Sequence, residues 1–395
     1  MECPQFGLAN CPFVMKMVEE LVSKQVQAGS NFVFSPLSFQ AMMSLVAAGS
    51  SGCTLQQLLW FLGLKSIADL HLVSYRLIAF ASPPEECKKL FGGPLLSLVS
   101  SVWLDKSFPL RSNFEEIAEG IFRAEAKQTD FSAEKGAQAD INSWMDNASK
   151  GLIRDIIPSV SLDKETALIF ANAMYFKGTW ARRFKASKTE TRIFHLLNGE
   201  IMQGPFIRSK KYEKHLYKSF KNDFKILKLP YQNNKDSRCF AMYFFLPEQI
   251  DGLQSLVCRI CSDPQYFNQQ FDLREEIVPD FWLPRFKISH GFQASEILKE
   301  QGLILPFTEV GEMTEIHNCP NNKLYVSEIF HKSCVEISEK GTDGVPRNAA
   351  GLTKFTASYP TPSFVADHPF LFMIREEISR IVFFLGAVIN PFSSA

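Results

Sequence analysis

One large α+β domain is the fold class this sequence predicts, and three observations predict it. Helical patterns fill the first 160 residues. From Ala167 onward strand-like apolar runs dominate, and several are apolar on both faces, so a central sheet must be covered on each side. No composition shift, internal repeat, low-complexity linker or block of like charge divides the 395 residues. Two domains are the usual expectation at this length, but large mixed folds reach it as one unit.

Phe13, Met17, Val18, Leu21 and Val22 recur at helical spacing behind Pro12, which predicts an amphipathic helix over 12–26. Phe32 to Phe34 reads as a short strand. Ser35 followed by Pro36 is a helix start, a hydroxyl N-cap before a proline at the first helical position, and the run stops at Gly49. That helix is almost wholly apolar and is therefore central. Thr54 to Leu62, Phe114 to Phe122 and Ile141 to Ile157 read as further helices. Strands are expected over 167–176, 224–229, 240–246, 281–288, 324–337, 370–374 and 381–389.

Charge and composition exclude several function classes. Lysine plus arginine equals aspartate plus glutamate at 42 each, so no net charge attracts nucleic acid or an anionic membrane. Hydrophobic content of 46% with 36 Phe supplies a sizeable core, and mean hydropathy near zero suits a soluble globular chain. No apolar run approaches the roughly 20 residues that span a bilayer. Nine scattered cysteines, an odd count, suit reduced thiols better than a disulfide framework. Met1 to Phe13 lacks the basic start and apolar stretch of a secretory signal, so an intracellular protein is expected and the Asn147-Ala148-Ser149 sequon is read as unused.

Local enzyme signatures are missing. There is no Gly-x-Ser-x-Gly elbow, no His-Glu-x-x-His helix and no glycine-rich phosphate loop, and a non-enzymatic role is expected. Cys258-Arg259-Ile260-Cys261 has redox or zinc spacing, but no second pair stands at ligand distance and the stretch is helix-like, so no metal or cofactor is expected. What stands out instead is Gly341 to Ser363, a run of small and polar residues between two buried strand patterns. Compact domains seldom carry so long a patternless stretch unless it is functional or disordered, and the flanking strands favour function.

Phe364-Val365-Ala366-Asp367-His368-Pro369-Phe370-Leu371-Phe372 closely resembles the serpin signature, in the wording of the plant (serpin-Z) branch. Asn31-Phe32-Val33-Phe34-Ser35-Pro36-Leu37-Ser38, Asn172-Ala173-Met174-Tyr175-Phe176-Lys177-Gly178-Thr179-Trp180, and His331-Lys332 leading to Glu339-Lys340-Gly341-Thr342 join it in family order. Together they cover nearly the whole chain. The resemblance implies a monomeric serpin domain over 1–395 with three β-sheets, eight or nine helices and an exposed reactive-centre loop at about 341–363. In that family the loop can insert as a new strand, releasing strain.

The resemblance also implies roles. Ser35, Ser38, Asn172 and His331 match the polar cluster under the main sheet where strands part, since buried donors and acceptors there must be able to exchange partners. Trp180 and Glu339 match the top of the sheet where the loop first enters. Gly341, Thr342, Asp343, Gly344, Val345, Pro346 and Arg347 match the hinge. The family's spacing places the reactive bond after Phe355, at Phe355-Thr356, bait for a chymotrypsin-like pocket, while Lys354 would suit a trypsin-like one and Tyr359 is the poorer alternative.

One departure from the family pattern decides the expected function. Inhibitory members carry small residues, mostly alanine, after the hinge, whereas this chain has Asp343-Gly344-Val345-Pro346-Arg347. In an inserted strand Thr342, Gly344, Pro346, Asn348 and Ala350 share one face and Arg347 points to the other. Proline has no N–H for the ladder and is nearly confined to edges, strand starts and bulges. A protease inhibitor by family, the chain is therefore expected to be non-inhibitory. The alternative is a suicide inhibitor of serine or papain-like cysteine proteases, with a bulge at Pro346 or partial insertion absorbing the fault. Cytoplasmic localisation is expected, with a non-classical route to the extracellular space open, since similar plant serpins are also found outside cells.

Overall fold

The computed structural model describes residues 12–81, 94–158, 162, 165–232, 238–263, 265–318, 323–339 and 361–393. Among them are eight α-helices and three β-sheets. Helix α1 (Pro12–Ala28) turns Met17, Val18, Leu21 and Val22 inward. Strand β1 (Phe32–Phe34) and helix α2 (Pro36–Ala48) stand where expected: Ser35 is extended and its side chain accepts from Ser38 N, Pro36 opens the helix and Gly49 ends it. Every residue of α2 is buried. Helices α3 (Gly52–Phe61), α4 (Ile67–Ala81), α5 (Ser112–Gly120), α6 (Glu134–Ala148), α7 (Leu253–Cys261) and α8 (Ser295–Glu300) complete the set.

The five-stranded sheet runs β12 (Phe286–Gln293), β13 (Glu328–Ile337), β4 (Leu168–Lys177), β2 (Leu95–Asp105), β3 (Ala124–Thr129). The seven-stranded sheet runs β1, β16 (Val382–Val388), β15 (Phe370–Glu376), β9 (Phe240–Pro247), β8 (Phe224–Pro230), β7 (Lys214–Ser219), β10 (Arg274–Ile277). The third is β14 (Ser363–Val365), β11 (Asp280–Pro284), β6 (Ile201–Arg208), β5 (Glu190–His195). Helix α2 packs against β4 on one side and β16 on the other, which explains why it has no polar face. On the outer face of the five-stranded sheet, Ile141 and Met145 of α6 join Ile153 and Ile156 over Ile169, Tyr175, Phe330 and Cys334.

Three expectations are corrected. The helix foreseen over 141–157 runs instead from Glu134 to Ala148, because Lys150 (φ 57°) and Gly151 (φ 79°) take left-handed conformations that end it. The strand foreseen over 281–288 is two strands in different sheets, β11 and β12, parted at Arg285. In the run 324–337 only Glu328–Ile337 is strand. Helix α4 and strands β2, β3, β5, β6, β7 and β10 carried no expectation.

Gly386 lies opposite both Val33 of β1 and Phe372 of β15. A methyl there would stand 2.5 Å from the Phe32 carbonyl oxygen and 2.4 Å from the Phe372 ring. Gly386→Ala is expected to lower stability by about 1–3 kcal/mol through overpacking, read as a lower urea midpoint. An unchanged midpoint would show that the two strands can separate at no cost.

Candidate functional site

The structure brings Ser35, Asn172 and His331, three of the four polar residues singled out above, to one seam. Strands β4 and β13 pair in parallel in unbroken register from Glu328 opposite Ile169 to Val335 opposite Phe176. Each pairs antiparallel with its outer neighbour, β2 and β12. Parallel pairs are slightly weaker per residue. A strand leaving the C-terminal end of β13 and folding back between the two would run antiparallel to both, so the topology leaves a place for it.

Three polar side chains stand directly across the sheet here: Ser100 is opposite Asn172, and Asn172 opposite His331. Asn172 Nδ2 donates to Ser100 Oγ at 2.7 Å, which turns Asn172 Oδ1 toward His331 Nδ1 at 3.1 Å. That oxygen only accepts, so Nδ1 carries the imidazole hydrogen. Nε2 is then an acceptor, facing the Ser333 hydroxyl at 3.0 Å and the Ser35 N–H at 3.5 Å. Phe34, Phe39 and Phe292 ring the imidazole at centroid distances of 5.5, 5.8 and 5.5 Å. Complete burial, with His290 nearby, pushes His331 down to about 3, so it is neutral.

Ser35 reaches the seam through its N–H and through its hydroxyl, which donates to Met174 Sδ at 3.1 Å. Ser38 does not reach across: its hydroxyl donates to Ser35 O and its N–H to Ser35 Oγ, so it serves the first turn of α2. Ser100 and Ser333 are cluster members that the sequence reading left out. Alternation could have found Ser333, two residues after His331 on the same face. Ser100 becomes visible only once strand register is known. Lys332, on the opposite face, donates to the carbonyls of Arg154 and Asp155, tying β13 to the segment beyond α6.

Trp180 and Glu339 stand at the upper end of the same seam. The Trp180 indole stacks on Tyr231 at 4.5 Å and donates to Ser338 O at 2.9 Å. Glu339 is 7% exposed; its carboxylate accepts from Thr189 Oγ1 and pairs with Arg285 Nε at 3.5 Å, while its carbonyl accepts from Phe184 N. The chain is thus clamped as it leaves β13. It is next described at Thr361, before β14, which pairs in parallel with β11 in another sheet. Gly341, Thr342, Asp343, Gly344, Val345, Pro346, Arg347, Phe355 and Thr356 lie outside the described residues. Cys258 and Cys261 lie on α7, and burial pushes the Cys261 thiol up to about 12, which suppresses the thiolate that redox or metal chemistry needs.

The fold has close counterparts. The ovalbumin structure solved in uncleaved form matches with a TM-score of 0.81 over 98% of this chain and 99% of that one, at 21% identity, which speaks for the fold alone. An Arabidopsis serpin structure, titled AtSerpin1 in its native stressed conformation, matches with a TM-score of 0.86 at 35% identity, covering 98% of this chain and 100% of that one. The sequence model of the family described as Serpin (serine protease inhibitor) matches residues 8–391. This chain belongs to the serpin family. Serpin-ZXA of Oryza sativa subsp. japonica is 42% identical over 93% of this chain and 92% of its own length, and Serpin-ZX of Arabidopsis thaliana is 39% identical over 93% of each.

Acid should weaken this core in a defined window. His331 sits near 3 and His215 and His290 near 4, all pushed below the ordinary imidazole value of 6.5, in each case chiefly by burial. The unfolded chain therefore takes up protons first as pH falls. Stability is full above pH 6.5 and is lost toward pH 4, by about 1.4 kcal/mol per pH unit for each group. His331→Ala should cost about 1–3 kcal/mol at pH 7.5, because Asn172 and Ser333 lose a buried partner, and should flatten the pH dependence of the urea midpoint by one proton. An unaltered pH slope would contradict the neutral, buried imidazole.

Proposed function

We propose that this chain is a serpin whose reactive loop is cut at Phe355-Thr356 by a serine or papain-like cysteine protease without trapping it, so that the protein is non-inhibitory. The observation that carries this reading is Pro346 in a hinge that would have to become a central strand between β4 and β13. A central strand has no solvent edge, so every N–H of the newcomer faces a neighbouring carbonyl. Trapping is a race between insertion and hydrolysis of the acyl-enzyme. A missing ladder bond is worth about 1 kcal/mol, and the proline ring adds a steric conflict. If about 3 kcal/mol appears in the insertion barrier, the rate falls on the order of a hundredfold and water releases the protease.

A second reading, suicide inhibition with Phe355 as bait, is favoured by the fully assembled cluster of Ser35, Asn172 and His331 and by the clamp at Trp180 and Glu339. Denaturing gels after mixing with chymotrypsin, and separately with papain, distinguish the two. The expected result is cleavage with a released fragment whose N-terminus is Thr356, and no covalent adduct. An adduct at near-equimolar ratio would overturn the non-inhibitory reading. Replacing residues 344–347 by alanine should restore adduct formation; failure of that rescue would place the fault outside the hinge.

A further inference from the structure

Over residues 181–221 the chain carries eleven lysines and arginines against three glutamates, although the whole chain is neutral. The cations are dispersed in sequence and meet only on folding. The Arg182 guanidinium donates to Lys214 O at 3.2 Å, and Phe184 stacks on Phe281 at 5.3 Å, which lays the 181–189 segment beside the turn before β7. The glutamates are otherwise engaged. Glu213 accepts from Ser209 Oγ and Lys210 N, Glu190 pairs with Arg208 at 3.1 Å, and Glu200 accepts from Asn198 Nδ2. Among the described residues no carboxylate lies in ion-pair range of Arg182, Lys185, Lys188, Lys210, Lys211 or Lys214. Glu275 and Glu276 on β10 border the patch, opposite Leu216 and His215.

This basic face holds both ends of the segment 340–360. Phe184 N and Thr189 Oγ1 bind Glu339 on one side, and Tyr217 OH and Lys225 Nζ donate to Ser363 on the other. The chain therefore leaves β13 and enters β14 beside these cations. Tyr212, 69% exposed, projects among them with Lys211 Nζ 5.8 Å from its ring. An exposed aromatic among lysines suits a protein surface, where aromatics serve as anchors and charges steer.

We propose that this face is a docking surface for the acidic surface of a protease that engages the loop; the inference rests on the reading that the loop is protease bait. Chymotrypsin and succinylated chymotrypsin, whose lysine ammonium groups have become carboxylates, are the probes. Each is normalised to its rate on a small ester. The succinylated enzyme should cleave the loop about tenfold faster at low salt, and the advantage should vanish near 0.5 M salt. The quadruple variant K185E/K210E/K211E/K214E should lose the advantage while keeping its urea midpoint, and K65E, on the α3–α4 connection, should retain it. Equal ratios for wild type and quadruple variant would overturn the proposal.

Binding of succinylated chymotrypsin with its active-site serine blocked supplies a readout that needs no cleavage. Affinity at least tenfold weaker for the quadruple variant supports the surface, and no difference overturns it. Absence of loop cleavage by either enzyme would count against the proposed function alone. Retention on immobilised heparin that the variant loses, with no preference for the acidic protease, would assign the face to a sulfated polysaccharide and overturn the proposal.

Discussion

Two parallel strands, β4 and β13, are far apart in sequence yet lie side by side through the centre of the five-stranded sheet, and midway along their pairing the side chains that face each other, Asn172 and His331, are polar and buried. Such a join is a compromise between stability and the ability to part. Apolar packing alone would be stronger, because a buried imidazole must be held neutral and fully hydrogen-bonded to be tolerated. The Ser100–Asn172–His331 line achieves that with each donor aimed at one acceptor. Helix α2 contributes its N-terminal Ser35, so the cap of the most buried helix and the seam of the sheet depend on the same residue.

The same seam links fold to function through the chain that leaves it. Trp180 and Glu339 fix the upper end of β13, and the basic 181–189 segment holds Glu339 in turn. Opening the seam would exchange one set of satisfied groups for another, whereas filling it would demand N–H groups from the incoming strand. Pro346 cannot supply one. On the proposed reading, a seam able to part and a strand poorly suited to fill it coexist in one chain, which is the physical content of the non-inhibitory proposal.

How much of this was legible in the sequence depended on local signals. Ser35-Pro36 and Gly49 bracket α2 so sharply that its limits could be read directly, and the two-faced apolar strands β4, β9 and β15 were equally plain. Edge and surface strands were not. In β3, β5 and β7 the exposed sides carry Glu125, Glu190 and Lys214, and the short apolar alternation is swamped. Helix α4 escaped because Leu72 and Tyr75 face outward and blur its periodicity. In the site, Ser35, Asn172 and His331 carried motif context, whereas Ser100 gained meaning only from a register no single sequence states.

The central claim is that the cut loop enters the sheet too slowly to carry an acylated protease away before water releases it. Its most direct test is the rise of the urea unfolding midpoint with time after cleavage at Phe355-Thr356, followed in the natural chain and in the variant with alanine at 344–347. An added central strand would contribute a full row of ladder bonds, each worth about 1 kcal/mol net, and would raise the midpoint steeply. The account predicts a rise on the order of a hundredfold slower in the natural chain than in the variant. Equal rates would show that Pro346 does not hinder insertion, and would contradict it.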